Sequence, residues 1–193
     1  KDYDTVTCLN PKAHVHFPKL KIDGITKYLD NTDFRFDHTF SEHVSTEDIY
    51  RHAASPLVEF AVEGGRATVF AYGQTGSGKT YTMSGIMRAA AQDVFSLLAG
   101  RVAGRVSVYC SMFEIYGGRC QDLLNARKRL QVCEDGQGEV QVVGLEEIPC
   151  PDADSMLQRV EEGNAERTTH VTEMNDTSSR SHAIFQIALR DGA

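Results

Sequence analysis

The run Gly73-Gln74-Thr75-Gly76-Ser77-Gly78-Lys79-Thr80 constrains this chain more than any other segment, because it satisfies G-x-x-x-x-G-K-S/T between an apolar run and a helical pattern. The apolar run, residues 67–72 of RATVFAY, is short and rich in β-formers, which predicts a strand buried on both faces of a sheet. After the loop, Ala90, Val94, Phe95 and Leu98 recur at helical spacing and predict a helix that stops at Gly100. Glycines let the main chain curl so that successive N–H groups point at phosphate oxygens, and a helix beginning near Lys79 adds the positive end of its dipole. Lys79 would supply charge to the β- and γ-phosphates, and Thr80 a hydroxyl for Mg²⁺. A glycine turn can also arise for steric reasons alone, but the lysine and both flanks favour a nucleoside triphosphate with Mg²⁺. The loop by itself does not separate ATP from GTP.

The chain has 193 residues, 41% of them apolar, enough for one sizeable core and too few to argue for several domains. Lys+Arg number 20 against 27 Asp+Glu, and the net charge of −7 argues against a general nucleic-acid binder. No apolar stretch reaches a membrane-spanning length and no signal-peptide pattern opens the chain, so no membrane partner is expected. Cys8, Cys110, Cys120, Cys133 and Cys150 are scattered, without C-x-x-C, which argues against a disulfide scaffold or zinc site and for a reducing compartment, the cytoplasm. Because the first residue is Lys1 and the last residues read as an unfinished strand, more chain is expected on both sides.

Along the chain, Val6, Cys8, Val15 and Phe17 predict short strands interrupted at Asn10-Pro11 and at Pro18, and with Phe34, Phe36 and Phe40 they predict a mostly β amino-terminal region. Ser45 with Asp48 resembles a capping box opening a helix through Ile49, Ala53, Leu57 and Phe60, which Pro56 should divide. Val106, Val108, Cys110 and Met112 alternate as a strand, with a turn at Gly117-Gly118. Two β-type runs flank EDGQGE and predict a hairpin; a helix follows from Asp152 or Asp154 to Asn164, and HAIFQIALR closes as a strand. Helices and strands interleave, so the fold class is α/β. His14 and His16 are expected to be exposed strand positions, and Arg127, Lys128 and Arg129 a solvated turn. Met83, Met87, Met112 and Met156 are expected in or near the core.

A second constellation, Asn175-Asp176-Thr177-Ser178-Ser179-Arg180-Ser181-His182, has almost nothing apolar to bury and is either a solvated loop or a site. Together, AYGQTGSGKTYTM and NDTSSRSH resemble the phosphate loop and switch I of kinesin motor domains, and FRFDHTF and MFEIYGGRCQDLL are similar to further segments of that family. The resemblance covers essentially the whole chain, residues 1–193. It implies a P-loop NTPase fold with a mixed central β-sheet flanked by helices, incomplete at both ends. It also implies an ATPase stimulated by microtubules, with ATP or ADP and Mg²⁺ as ligands and tubulin as partner. By the same resemblance Gly73 to Tyr81 hold nucleotide, Thr80 and Ser179 approach the metal, Asn175 and Ser178 sense the γ-phosphate, and Arg180 latches onto a switch II glutamate. Tyr81 packs near the adenine or is a helix-surface aromatic.

PKLKIDGITKYLDNTDFRFDHTF and QVCEDGQGEVQVVGLEE are most similar to kinesin-13, the internal-motor class that depolymerises microtubules. That class carries a Lys-Val-Asp tip on an extended amino-terminal loop, matched here by Lys21, Ile22 and Asp23, with Lys12, Lys19 and Lys27 as a basic flank. A microtubule-bound, cytoskeletal location follows, at polymer ends or the spindle. The switch II segment of the family is not among these residues, so weak or no hydrolysis is expected of the 193 residues alone. Asp135-Gly136-Gln137-Gly138 is the one D-x-x-G string and reads as a hairpin turn. A walking kinesin and a hydrolysis-deficient microtubule-binding module are the competing readings.

Overall fold

A computed structural model of the chain describes residues 5–101, 106–169 and 181–191. The chain divides into two compact units, Lys1–Ile49 and Tyr50–Ala193. In the first, β1 (Val6–Leu9), β2 (Lys12–Leu20) and β3 (Lys27–Arg35) form an antiparallel sheet in that order. The β2–β3 register is unbroken from Lys12 opposite Arg35 to Leu20 opposite Lys27, so Pro18, opposite Leu29, does not interrupt the strand as expected: β1 pairs with β2 only up to Val15, and beyond it a proline is tolerated on the open edge. At roughly 3.4 Å per residue, this ribbon is about 30 Å long. Alternation sets Lys12, His14 and His16 opposite Arg35, Asp33 and Asn31 on one face, and Ala13 and Val15 opposite Phe34 and Thr32 on the other. The polar face is knitted by short contacts: His14 Nδ1 lies 2.6 Å from Asp33 Oδ1, and His16 Nδ1 lies 2.8 Å from Asn31 Oδ1. Both histidines thus serve the strand ladder, and no group of three metal-ligating side chains occurs among the described residues.

Helix α1 (Thr46–Ala53) opens on the expected box, with Asp48 N–H donating to Ser45 Oγ at 3.1 Å and the serine hydroxyl donating back to Asp48 at 2.7 Å. Pro56 sits in the first turn of α2 (Ser55–Val62), where its missing N–H costs nothing, and the helical pattern breaks before it at Ala54. In the second unit α3 (Lys79–Arg101) runs through Gly100 instead of stopping there. Then follow β4 (Val106–Tyr116), β5 (Arg119–Asp122), β6 (Arg129–Glu134), β7 (Val140–Val143), β8 (Ile148–Pro149), α4 (Ala153–Thr169) and β9 (Ser181–Asp191). The β7-β6-β5-β4-β8 path forms the sheet, and β9 pairs with β4 from Val106 opposite Asp191 to Tyr116 opposite Ser181. Every pairing among the described strands is antiparallel.

The β/α layering follows from β4's alternation. Val108 and Cys110 face Ala91, Val94 and Leu98 of α3 and Met156 of α4, and Phe185, Ile187 and Leu189 of β9 extend that surface. Phe113, Cys120 and Leu130 form a smaller cluster with Val142, Leu145 and Ile184. Met112 and Met156 are fully buried, as expected, while Met83 and Met87 are half-buried. The turn at Gly117-Gly118 places both glycines at positive φ, 56° and 74°, which joins β4 to β5 tightly. Asp135 Oδ1 accepts from the N–H groups of Gln137 and Glu139, so the D-x-x-G string is the β6–β7 hairpin loop. No helix among the described residues is long and apolar enough to cross a membrane.

The strand expected at 67–72 is not formed. Residues 65–74 carry no regular secondary structure, and Phe70 and Tyr72 are 82% and 96% exposed. A strand buried on both faces needs hydrogen-bonding partners along its edges, and none of the described strands pairs with this run.

Gly163 marks the closest approach of α4 to the sheet, since a Cβ there would stand 2.4 Å from Met112 Sδ. We expect Gly163→Val to destabilise the second unit by about 1–3 kcal/mol, because Met112 is buried and cannot swing clear. Gly100→Ala has open space and is expected to stabilise by up to about 1 kcal/mol. Urea titration of both variants checks the contrast.

Candidate functional site

The glycine loop enters α3 directly. Gly76 and Gly78 hold φ of 83° and 87°, in the left-handed region, and a Cβ on Gly73 would meet Ser77 Oγ at 2.7 Å. Ser77 N–H closes the turn on the Gln74 carbonyl at 3.2 Å. The first helical bond of α3 runs from Thr82 N–H to the Gly78 carbonyl, so the N–H groups of Gly78, Lys79, Thr80 and Tyr81 have no partner within the helix. They are directed along the helix axis into the loop, where an anion would be met by dipole and donors together. Lys79 Nζ folds back over the loop and donates to the Gly73 and Gln74 carbonyls, each at 2.8 Å. The cradle is thus lined by donors and one ammonium, with the Thr80 side chain exposed at its rim. That donor set fits a polyphosphate with a divalent cation. Tyr81, 78% exposed on the first turn, is free to stack on a planar group.

Asn175, Ser178, Ser179 and Arg180 lie outside the described residues. Ser181 and His182, the last two positions of that motif, open β9, with Ser181 buried. Beside Ser181 is a cluster that sequence reasoning did not anticipate. Glu114 of β4 is buried and receives Arg127 Nη2 at 2.6 Å and Arg167 Nε at 3.2 Å. Arg167 Nη2 also donates to Ser181 Oγ at 2.9 Å and to the Ser181 carbonyl at 3.3 Å. Burial alone would push the Glu114 carboxyl up, yet the hydrogen bonds from Arg127 and Ser181 and the charges of both arginines outweigh it and hold it below its usual value. Arg127 is therefore not the solvated turn residue its R-K-R context suggests; it stands at φ 56° with its guanidinium turned inward to Glu114 and Gln121.

Lys21, Ile22 and Asp23 stand at the tip of the β2–β3 ribbon in the first unit. Ile22 is fully exposed and Ile25 largely so. Asp23 turns inward: its carboxylate accepts from Thr26 Oγ1 and from the N–H groups of Ile25 and Thr26, which holds it below the ordinary carboxylate range. It braces the tip, and Lys21 presents the charge. In the flank, Lys12 pairs with Asp33 and Lys19 with Asp30.

The kinesin motor domain family model matches residues 3–193. The chain belongs to the kinesin motor-domain family. It is 50% identical over 191 residues to the protein described as diatom spindle kinesin-1 of Cylindrotheca fusiformis, a match that covers 98% of this chain and 30% of that relative. This kinesin chain thus spans under a third of the length of the curated relative. The family places the glycine loop in a nucleotide-binding motor domain, which agrees with its donor geometry. That relative's name describes it as a spindle kinesin-1 and does not point to the internal-motor class.

Proposed function

We propose that the protein carrying this motor domain is a microtubule-stimulated ATPase of the kinesin-13 type, coupling ATP binding and hydrolysis to depolymerisation at microtubule ends. The nucleotide half of this reading rests on the glycine loop running into α3, with its first-turn N–H groups free of helical partners. In it Gly73, Gln74, Thr75, Gly76, Ser77 and Gly78 wrap the phosphates, Lys79 neutralises their charge, and Tyr81 flanks the base. Thr80 and Ser179 hold Mg²⁺, which when bound offsets charge on the β- and γ-phosphates. Asn175 and Ser178 report the terminal phosphate, and Arg180 latches a carboxylate of switch II.

The depolymerase half is supported by the nine-pair ribbon that ends in Lys21, Ile22 and Asp23. A walking kinesin would share the chemistry with a short segment at this place, so the ribbon's length favours the internal-motor reading. An apolar Ile22 beside the Lys21 charge suits a surface that is acidic at its rim and apolar in its cleft, as at a tubulin dimer interface. The location is cytoplasmic, on microtubules, in keeping with a relative described as a spindle kinesin. Neither nucleic acid nor membrane enters the reading.

The test uses the complete protein and stabilised microtubules. Shortening from the ends with ATP is expected, and the Lys21→Ala, Asp23→Ala double variant should shorten them at least tenfold more slowly while still binding nucleotide. Equal shortening by both proteins would remove the tip from the mechanism; directed gliding without shortening would favour the walking motor.

A further inference from the structure

We propose that Glu114 is a positioning residue for switch I, acting through the clasp it forms with Arg167 at the end of α4 and Ser181 at the start of β9. The inference rests on the nucleotide reading above and adds to it a residue outside every motif that the reading uses. Arg167 precedes the switch I motif and Ser181 is its last position but one, fourteen positions apart, and the Arg167 guanidinium joins them by two hydrogen bonds to Ser181. That guanidinium is itself held by Glu114 Oε1 at 3.2 Å. The second carboxylate oxygen is held by Arg127 at 2.6 Å, and Arg127 is fixed in turn by Gln121 at 2.9 Å. Glu114 is anchored by its strand, paired on one edge with Gln121 of β5 and on the other with Ala183 of β9. It therefore ties the helix before switch I and the strand in which the motif ends to the middle of the sheet.

A carboxylate with both oxygens engaged by guanidinium groups is directional as well as charged, so the clasp sets where the two ends of the intervening chain stand. Groups that recognise a terminal phosphate must be held close to their productive positions, and loosening their support costs recognition of that phosphate more than binding of the rest of the nucleotide. Loss of the clasp should therefore weaken the triphosphate specifically. A purely structural ion pair predicts instead lower stability with both nucleotides bound as before.

The experiment compares affinities of the complete motor protein for a non-hydrolysable ATP analogue and for ADP, each with Mg²⁺. Glu114→Gln keeps shape and one acceptor while removing the charge that holds two arginines. We expect the ratio of analogue to ADP affinity to fall about tenfold, with ADP affinity within twofold of the parent. Arg167→Lys, which keeps the charge but cannot reach Glu114 and Ser181 together, should lower the ratio in the same direction, and it serves if the first variant does not fold. Glu147→Gln, which breaks the exposed Glu147–Arg190 pair of the same unit, should leave the ratio unchanged. An unchanged ratio in folded Glu114→Gln or Arg167→Lys protein overturns the proposal. Failure of the parent protein to bind either nucleotide would instead overturn the nucleotide reading itself.

Discussion

Lys79→Ala in the complete motor protein should reduce affinity for Mg²⁺-nucleotide by at least about a hundredfold and bring ATP hydrolysis to background. Among the described residues Lys79 is the ammonium at the glycine loop, and its described hydrogen bonds go to loop carbonyls, so nothing in the core depends on it. Thermal stability should therefore stay within about 0.5 kcal/mol of the parent, as for other surface substitutions. Lys79→Arg should not restore binding, because a planar fork cannot follow the compact point charge into a turn this tight. Titration with a fluorescent nucleotide, read beside a melting curve, checks both halves. Undiminished affinity in the alanine variant would move the nucleotide away from this loop.

Arg127→Ala should destabilise the protein by about 3–5 kcal/mol at pH 7, because it strips one guanidinium from a carboxylate that water does not reach. The Glu114 side chain is 5% exposed and that of Arg127 14%, whereas the Glu147–Arg190 pair stands at 39% and 57% and should be worth about 1 kcal/mol or less. The effect has a definite pH dependence. The folded-state acidity constant of Glu114 is shifted down, so the stability it confers is fully present above the unfolded glutamate range, near about 4.3. It is lost as pH falls through the lower folded value. Protonated Glu114 no longer needs Arg127, so the gap between parent and variant should hold from pH 7 down to about 4.3 and narrow as the solution is acidified below that. Urea titrations across that range decide it; a gap that widens in acid would contradict the ion-pair account.

The loop and its helix were legible because the constraint is local: glycines at positive φ, a lysine, and helical spacing beyond them all lie within one stretch of chain. The β character of the amino-terminal region was legible from alternation, whereas the nine-pair ribbon was not, because pairing and register depend on both strands at once. Residues 67–72 show the opposite case. An apolar β-rich run states a capacity to pair, but pairing depends on strands elsewhere in the chain, and none of the described ones meets it. Arg127 was misread because R-K-R is usually solvated, and nothing beside it in sequence names its partner. One signal did exist: Glu114 continues the even-numbered series Val106, Val108, Cys110 and Met112, which places a carboxylate on the face of β4 that packs under the helices. A charge in that register has to be matched by an arginine from elsewhere.

The uncovered stretch before the glycine loop also bears on how the 193-residue polypeptide behaves in solution. Val69, Phe70 and Tyr72 belong to a β-prone segment that pairs with no strand among the described residues and leaves apolar side chains facing water. Such a segment is a template for edge-to-edge addition of another copy, so concentrated samples of these residues alone should oligomerise and precipitate. Any strand that docks alongside it would restore solubility and, through the same backbone, stiffen the entry to the glycine loop.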